Sequence, residues 1–335
     1  MNSYERYTAR LHGQPVDRVP NFDILMTRAA HHIRQPLARY YLDHRVLVAA
    51  NLAAAADFHV DILQAISDPY REAADFGLAV EFPDDGLPLS RQPLLPELAD
   101  LRQLVPPRPA AGRRMHDRLE AVRLFREKAG GEIPIMGWVE GALAEACDLR
   151  SMRLVMLDLS THPDWLTELL EICVEVGIAF ARAQIAAGAD IIGLGDAVCS
   201  QISPRMYRRF ALPYEQRIFA AVRALGAVGR LHICGNTTHL LPDMLHSGAD
   251  LIDLDWMVNL EQAASLAGNQ VALCGNFDPV AVMLHGAPAT VRAAALTCLR
   301  QGGPRLFSAA GCEIPDGTPV ENLAAQSEAL AQPVG

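Results

Sequence analysis

The chain has 335 residues, 50% hydrophobic and 20% charged, a composition that excludes disorder and can bury a large core. Its net charge of −10 is spread without a basic face or an Arg/Lys run, which excludes nucleic acid and an anionic membrane as expected partners. Seven cysteines, odd in number and not closely paired, fit a reducing compartment, and no stretch reads as a signal peptide or a membrane span, so a cytoplasmic protein is expected.

In chain order, residues 4–18 predict a short helix ending near Gly13, and Val19–Leu25 a first strand. Periodicity predicts a helix over about 29–56. Val60–Leu63 and Leu78–Phe82 are short strand candidates around a helix over Pro69–Phe76. The stretch 83–109, rich in Pro and Leu, reads as a long surface excursion, a lid or the approach to a site. A helix near 115–128 precedes Ile133–Glu140, a buried strand ending in a carboxylate. Thr161-His162-Pro163 opens a helix to Ala187, where Gly188 suits the C-terminal cap. Ala189–Asp196 is an apolar run too short for a helix and ending in Asp, and a helix over about 204–225 follows.

Arg230–Asn236 then reads as a short buried strand breaking at Gly235. Side chains two apart on a strand share a face, so His232 and Cys234 project together and form half of a tetrahedral zinc site. An echo links Gly188–Asp196 to Gly248–Asp255, at a distance that fits roughly two strand–helix units of about thirty residues each. The Cys-Gly-Asn turn of Cys234 recurs at Cys274; Leu306–Cys312 is a strand and Pro319–Leu330 a closing helix.

Short apolar strands alternating with helices predict a parallel α/β architecture. About eight strands over this length predict a closed (β/α)8 TIM barrel, a single domain over residues 1–335, with its chemistry at the C-terminal strand ends. The alternative, a doubly wound open sheet, lacks a Gly-x-Gly-x-x-Gly turn after the first strand. A barrel would converge Asp23, Glu140, Asp196, His232, Cys234, Asp255, Cys274 and Cys312 on one mouth. Two thiolates and an imidazole suit zinc, and three protein ligands leave the open position of a catalytic site. Cys312 or Cys274 completes the set, with Cys199 as a candidate fourth ligand; His239, in a Cys-x4-His frame with Cys234, falls in the next helix, and Cys147, Cys173 and Cys298 read as core filler. Glu140, Asp196 and Asp255 are the candidate catalytic carboxylates, at least two of them expected in the metal's cavity, with turn capping as the alternative role.

These residues resemble the uroporphyrinogen decarboxylase superfamily, which includes the methylcobalamin:coenzyme M and related corrinoid-dependent methyltransferases. The resemblance is carried by Gly13-Gln-Pro-Val-Asp-Arg18-Val-Pro20, Gly248–Trp256, Gly275-Asn-Phe-Asp-Pro279 and Gly311–Asn322. It implies the family's barrel. The Arg-rich segment that grips porphyrin carboxylates in decarboxylases has as its counterpart Met26-Thr-Arg-Ala-Ala-His-His-Ile33, where only Arg28 is left. The closing Gly-His-Gly-Ile of decarboxylases stands here as Gly311-Cys312-Glu313-Ile314. His232-x-Cys234 followed by Cys312 resembles the zinc motif of the methyltransferases, and Cys274 falls where relatives often have Gln. The resemblance therefore implies His232, Cys234 and Cys312 as zinc ligands. It also implies a methyl group exchanged with a methylcorrinoid on a separate corrinoid protein, and a small acceptor or donor (a thiol, a folate or a methylated one-carbon compound). A porphyrin decarboxylase is the alternative, a homo-oligomer is left open, and no segment reads as a clamp for the sulfonate of coenzyme M.

Overall fold

The protein is described here by a computed structural model covering residues 1–332. Seven parallel strands pair in strict sequence order: β1 Leu63–Gln64, β2 Ile135–Glu140, β3 Ile191–Gly195, β4 Val228–His232, β5 Leu251–Asp253, β6 Ala272–Phe277 and β7 Leu306–Ala310. Helices follow the strands and cover the outer face, which is why the strands read as unbroken apolar runs instead of alternating ones. The register fixes one row across the sheet. Glu140 stands opposite Gly195, Gly195 opposite His232, His232 opposite Asp253, and Asp253 opposite Cys274.

The expected strand over Val19–Leu25 is reduced to one bridge, Asn21 with Ser308. Pro20 brings no N–H to a ladder, which limits pairing there. The segment still bonds on both sides. Phe22 N–H donates to Ser308 O (2.8 Å) and Ser308 N–H to Pro20 O (3.0 Å), while Asp61 N–H donates to Asn21 O (2.8 Å). Thus the segment bonds to β7 itself through Ser308 and, through Asp61, to the chain just before β1.

Other expectations are corrected by proline. The helix expected over 29–56 is three helices, Met26–His32, Leu37–Leu42 and His44–Phe58, broken where Arg34 takes φ 57° and Pro36 follows. The helix expected over 204–225 is split into Pro204–Phe210 and Leu212–Ala224, the second opening on Pro213. Leu78–Phe82 stays outside the sheet and pairs only through Glu81 with Leu89. The 25-residue helix Pro163–Ala187 forms as expected, with Gly188 at φ 116° closing it. Among the described residues, no helix is long and apolar enough to cross a membrane.

Candidate active site

A cavity of about 630 Å³ opens at the C-terminal ends of β2, β3 and β4. Trp138 and Glu140 enter it from β2, Gly195 from β3, and His232 and Cys234 from the end of β4. The far wall is chain from the 83–109 excursion, Ser90–Pro93, and the near side carries Asp148 and Met152. The excursion expected to approach a site does so.

His232, Cys234 and Cys312 converge at one edge of this cavity. Their ligating atoms all lie within 4.8 Å of one another, and Cys312 Sγ is 3.9 Å from His232 Nε2. The other ring nitrogen, Nδ1, lies 2.8 Å from Asp253 Oδ2, while Asp253 Oδ1 accepts from Arg230 Nε at 2.8 Å. Arg230 thus locks the carboxylate, the carboxylate fixes the imidazole tautomer, and Nε2 is left turned toward the two sulfurs. That carboxylate–histidine pairing is the support a metal-ligating imidazole requires. Burial opposes the imidazolium, but hydrogen bonds with Asp253 and Cys312 raise His232 to about 10. The Cys312 thiol donates to Cys234 and holds it below the usual thiol range, whereas that same contact, with burial, pushes Cys312 up. Gly235, at φ 91°, makes the turn that leaves Cys234 at the rim. A nitrogen and two sulfurs at these separations fit zinc bonds of about 2.0–2.3 Å, with the cavity on the open side.

The three candidate carboxylates fare differently. Glu140 lines the cavity. Its side chain accepts from Arg71 Nη2 and from Trp138 Nε1 at 3.2 Å, and burial pushes it up to about 8 although Arg71 pulls the other way. Asp196 is fully buried and does not line the cavity, although its neighbours Gly195 and Ala197 do. Its Oδ1 accepts from Ala144 N–H (3.0 Å), and its carboxyl joins Cys199 and Glu215 in a separate buried group, where burial raises Asp196 to about 7. Gly141 makes room for it, since a Cβ there would lie 2.4 Å from the carboxyl carbon. Asp255 accepts from Gly235 N–H (2.9 Å) and Met257 N–H (3.3 Å), bracing the turn after Cys234. One of the three, not two, is therefore in the cavity.

Cys274 is buried beside Arg230, 3.7 Å from Nη2, outside the triad. His239 Nε2 bonds to Ile202 O at 3.0 Å. Asp23 is fully buried, with Oδ1 accepting from Ala310 N–H. Sequence reasoning missed Asp253, Arg71 and Asp148. Asp253 had a signal: it stands two residues before Asp255 in the same apolar run, the spacing that puts side chains on one face of an extended chain.

The uroporphyrinogen decarboxylase (URO-D) family model matches residues 2–332. The methylcobamide:CoM methyltransferase MtbA of Methanosarcina mazei is 32% identical over 329 residues, covering 95% of this chain and 94% of that protein. The uroporphyrinogen decarboxylase of Xanthomonas axonopodis pv. citri is 30% identical over 308 residues, covering 86% and 85%. A solved methyltransferase from Methanosarcina mazei superposes with a TM-score of 0.90 at 26% identity, over 98% of each chain. With sequence motifs, strand order and this end-to-end match in agreement, the chain belongs to the uroporphyrinogen decarboxylase family.

Proposed function

We propose that this protein is a zinc-dependent methyltransferase. It exchanges a methyl group between a corrinoid carried by a separate protein and a small thiol, folate or methylated one-carbon compound. One observation carries the reading: His232 Nε2, Cys234 and Cys312 converge at a cavity edge with Asp253 behind the imidazole. The relatives named for methylcobamide:CoM transfer support the corrinoid half. We also read the sheet as a closed (β/α)8 barrel forming a single domain, a reading supported by the bonds that Pro20–Phe22 makes on both sides.

In this reading His232, Cys234 and Cys312 hold the metal. Zinc bound there would supply a Lewis acid that favours the thiolate form of an acceptor thiol. Glu140, oriented by Arg71 and Trp138, exchanges a proton with the bound substrate. Asp255 acts through the Gly235 turn to position Cys234, and Asp196 acts through Ala144 to position the helix Ala142–Arg150 that carries Asp148. Asp253 and Arg230 hold the histidine.

The decarboxylase alternative loses its grip on carboxylates. Arg28 packs its guanidinium 5.4 Å above the Phe58 ring and donates to Thr318 O, and it does not line the cavity. The test is to incubate the protein with a methylated corrinoid protein and candidate thiols or folates. Methylcob(III)alamin should convert to cob(I)alamin, seen by absorbance, and chelation of the metal should stop the reaction. No transfer in either direction, together with carboxyl loss from uroporphyrinogen, would replace this reading by the decarboxylase.

A further inference from the structure

We propose that the cavity takes an aromatic monocarboxylate, its anionic end on Arg71 and its methyl-exchanging end at the metal, with the ring lying along Trp138. This rests on the methyltransferase reading of the same cavity and narrows its substrate. Arg71, the first residue of the helix Arg71–Phe76, lines the cavity and is 1% exposed. Its Nη2 donates to Glu140, but Nε and Nη1 have no hydrogen-bond partner. Glu72 Oε2 stands 3.6 Å from Nε, past hydrogen-bond reach. Buried donors of a charged group are costly to leave unpaired, and a substrate carboxylate would supply an acceptor. The other arginine of the wall, Arg91 at the exposed rim, is already held by both oxygens of Glu81 at 2.6 and 3.0 Å. One guanidinium matches one anionic end, not the several carboxylates of a porphyrin.

The acids around Arg71 do not cancel it. Burial raises Glu140 to about 8 and pushes Glu72 and Asp148 the same way, which favours their neutral forms. Asp68 is taken up by Arg114. Size and shape then set the body of the ligand. At about 630 Å³ the cavity falls in the range of roughly 300–1,000 Å³ that encloses drug-sized ligands, more than a two-carbon thiol can fill. Its wall is rich in apolar side chains, among them Met26, Ile66, Tyr70, Met152 and Val198. Glu140, the residue Arg71 holds, stands two strands from His232 with Gly195 between them, a backbone separation of about 10 Å. Trp138 spans that interval. Its Nε1 is 3.2 Å from Glu140 Oε1, a Cβ at Gly195 would lie 2.9 Å from the indole, and its ring centroid is 5.9 Å from that of His232. An aromatic surface thus runs from the Arg71–Glu140 pair to the imidazole, and a flat apolar ring stacked along it would join the two ends.

The experiment is calorimetric titration of the purified, metal-loaded protein with 4-(mercaptomethyl)benzoate, its methyl ester and 3-mercaptopropionate. The acid is expected to bind about tenfold more tightly, or better, than the ester, which lacks the charge, and than 3-mercaptopropionate, which lacks the ring. The preference for acid over ester should hold for 4-methylbenzoate and its ester, which have no thiol, so that it belongs to the wall and not to the metal. Arg71→Gln should shrink that preference to about threefold or less while zinc content stays unchanged. Because this variant disturbs a buried ion pair, the wild-type titrations decide by themselves. Equal or tighter binding of the ester or of 3-mercaptopropionate would overturn the inference, and so would an undiminished preference in folded Arg71→Gln protein. Failure of the parent reading looks different: the preference for the acid would persist while no thiol of the series accepted a methyl group from a methylated corrinoid protein.

Discussion

His232 and Asp253 face each other across the β4–β5 pairing at 2.8 Å, Nδ1 to Oδ2, and the same carboxylate is gripped from its other oxygen by Arg230. Asp253→Asn keeps an acceptor for Arg230 but can present an N–H to the ring, which favours the tautomer whose Nε2 carries the proton. Zinc affinity should therefore fall by about 10–100-fold with the ligand set intact. Competition with a chromophoric chelator measures this. An unchanged dissociation constant would show that Asp253 only pairs with Arg230.

Cys234→Ala and Cys312→Ala should each bring bound zinc well below one per chain with the far-ultraviolet circular dichroism retained. Cys274→Ala should keep its metal, because that sulfur lies against Arg230 and outside the triad. Elemental analysis of protein purified without a metal-affinity tag decides it. Zinc lost from the Cys274 variant alone would reverse the assignment.

Asp23 is raised by burial from 3.8 to about 6. The folded state then holds its proton to higher pH than the unfolded chain, so stability falls as pH rises through that window. Asp23→Asn keeps an acceptor for Ala310 N–H and removes the penalty. Relative to wild type, the variant should gain up to about 3 kcal/mol between about pH 4 and pH 7. Urea unfolding at the two pH values reads the difference, and parallel curves would refute it.

Gly193 leaves space for the indole of Trp138: a Cβ there would lie 2.3 Å from the ring. Gly193→Ala should overpack this layer, cost about 1–3 kcal/mol, and turn Trp138 away from Glu140. Tryptophan fluorescence and thermal unfolding should shift together. A variant indistinguishable from wild type by both would show that the ring relaxes freely.

The fold was legible where one segment speaks for itself. The apolar runs through Glu140, His232 and the Gly248–Asp255 stretch, and the long helix closed by Gly188, follow from local pattern. Errors came where the pattern of apolar residues was allowed to outvote a proline, at Pro20, Pro36 and Pro213. In the site, His232 and Cys234 were visible because they share one strand face. Asp253 and Asp255 stand two apart at the end of one apolar run, and the sequence alone singled out only the second. Only the pairing of β4 with β5 makes Asp253 the partner of His232 and leaves Asp255 to brace the turn. Arg71 and Asp148 gave no local signal, because their importance comes from which charges surround them.

The row that runs from Glu140 through Gly195, His232 and Asp253 to Cys274 ties the site to the alignment of five strands. A slip of β5 by one residue would put Ile252 or Leu254 beside the imidazole and point Asp253 at the opposite face. The histidine would lose its carboxylate, and Arg230 would be stranded without one. Under the proposed zinc reading, metal uptake would therefore act as an assembly checkpoint, and zinc per chain in a freshly refolded sample would count the molecules whose sheet has come together in the correct alignment.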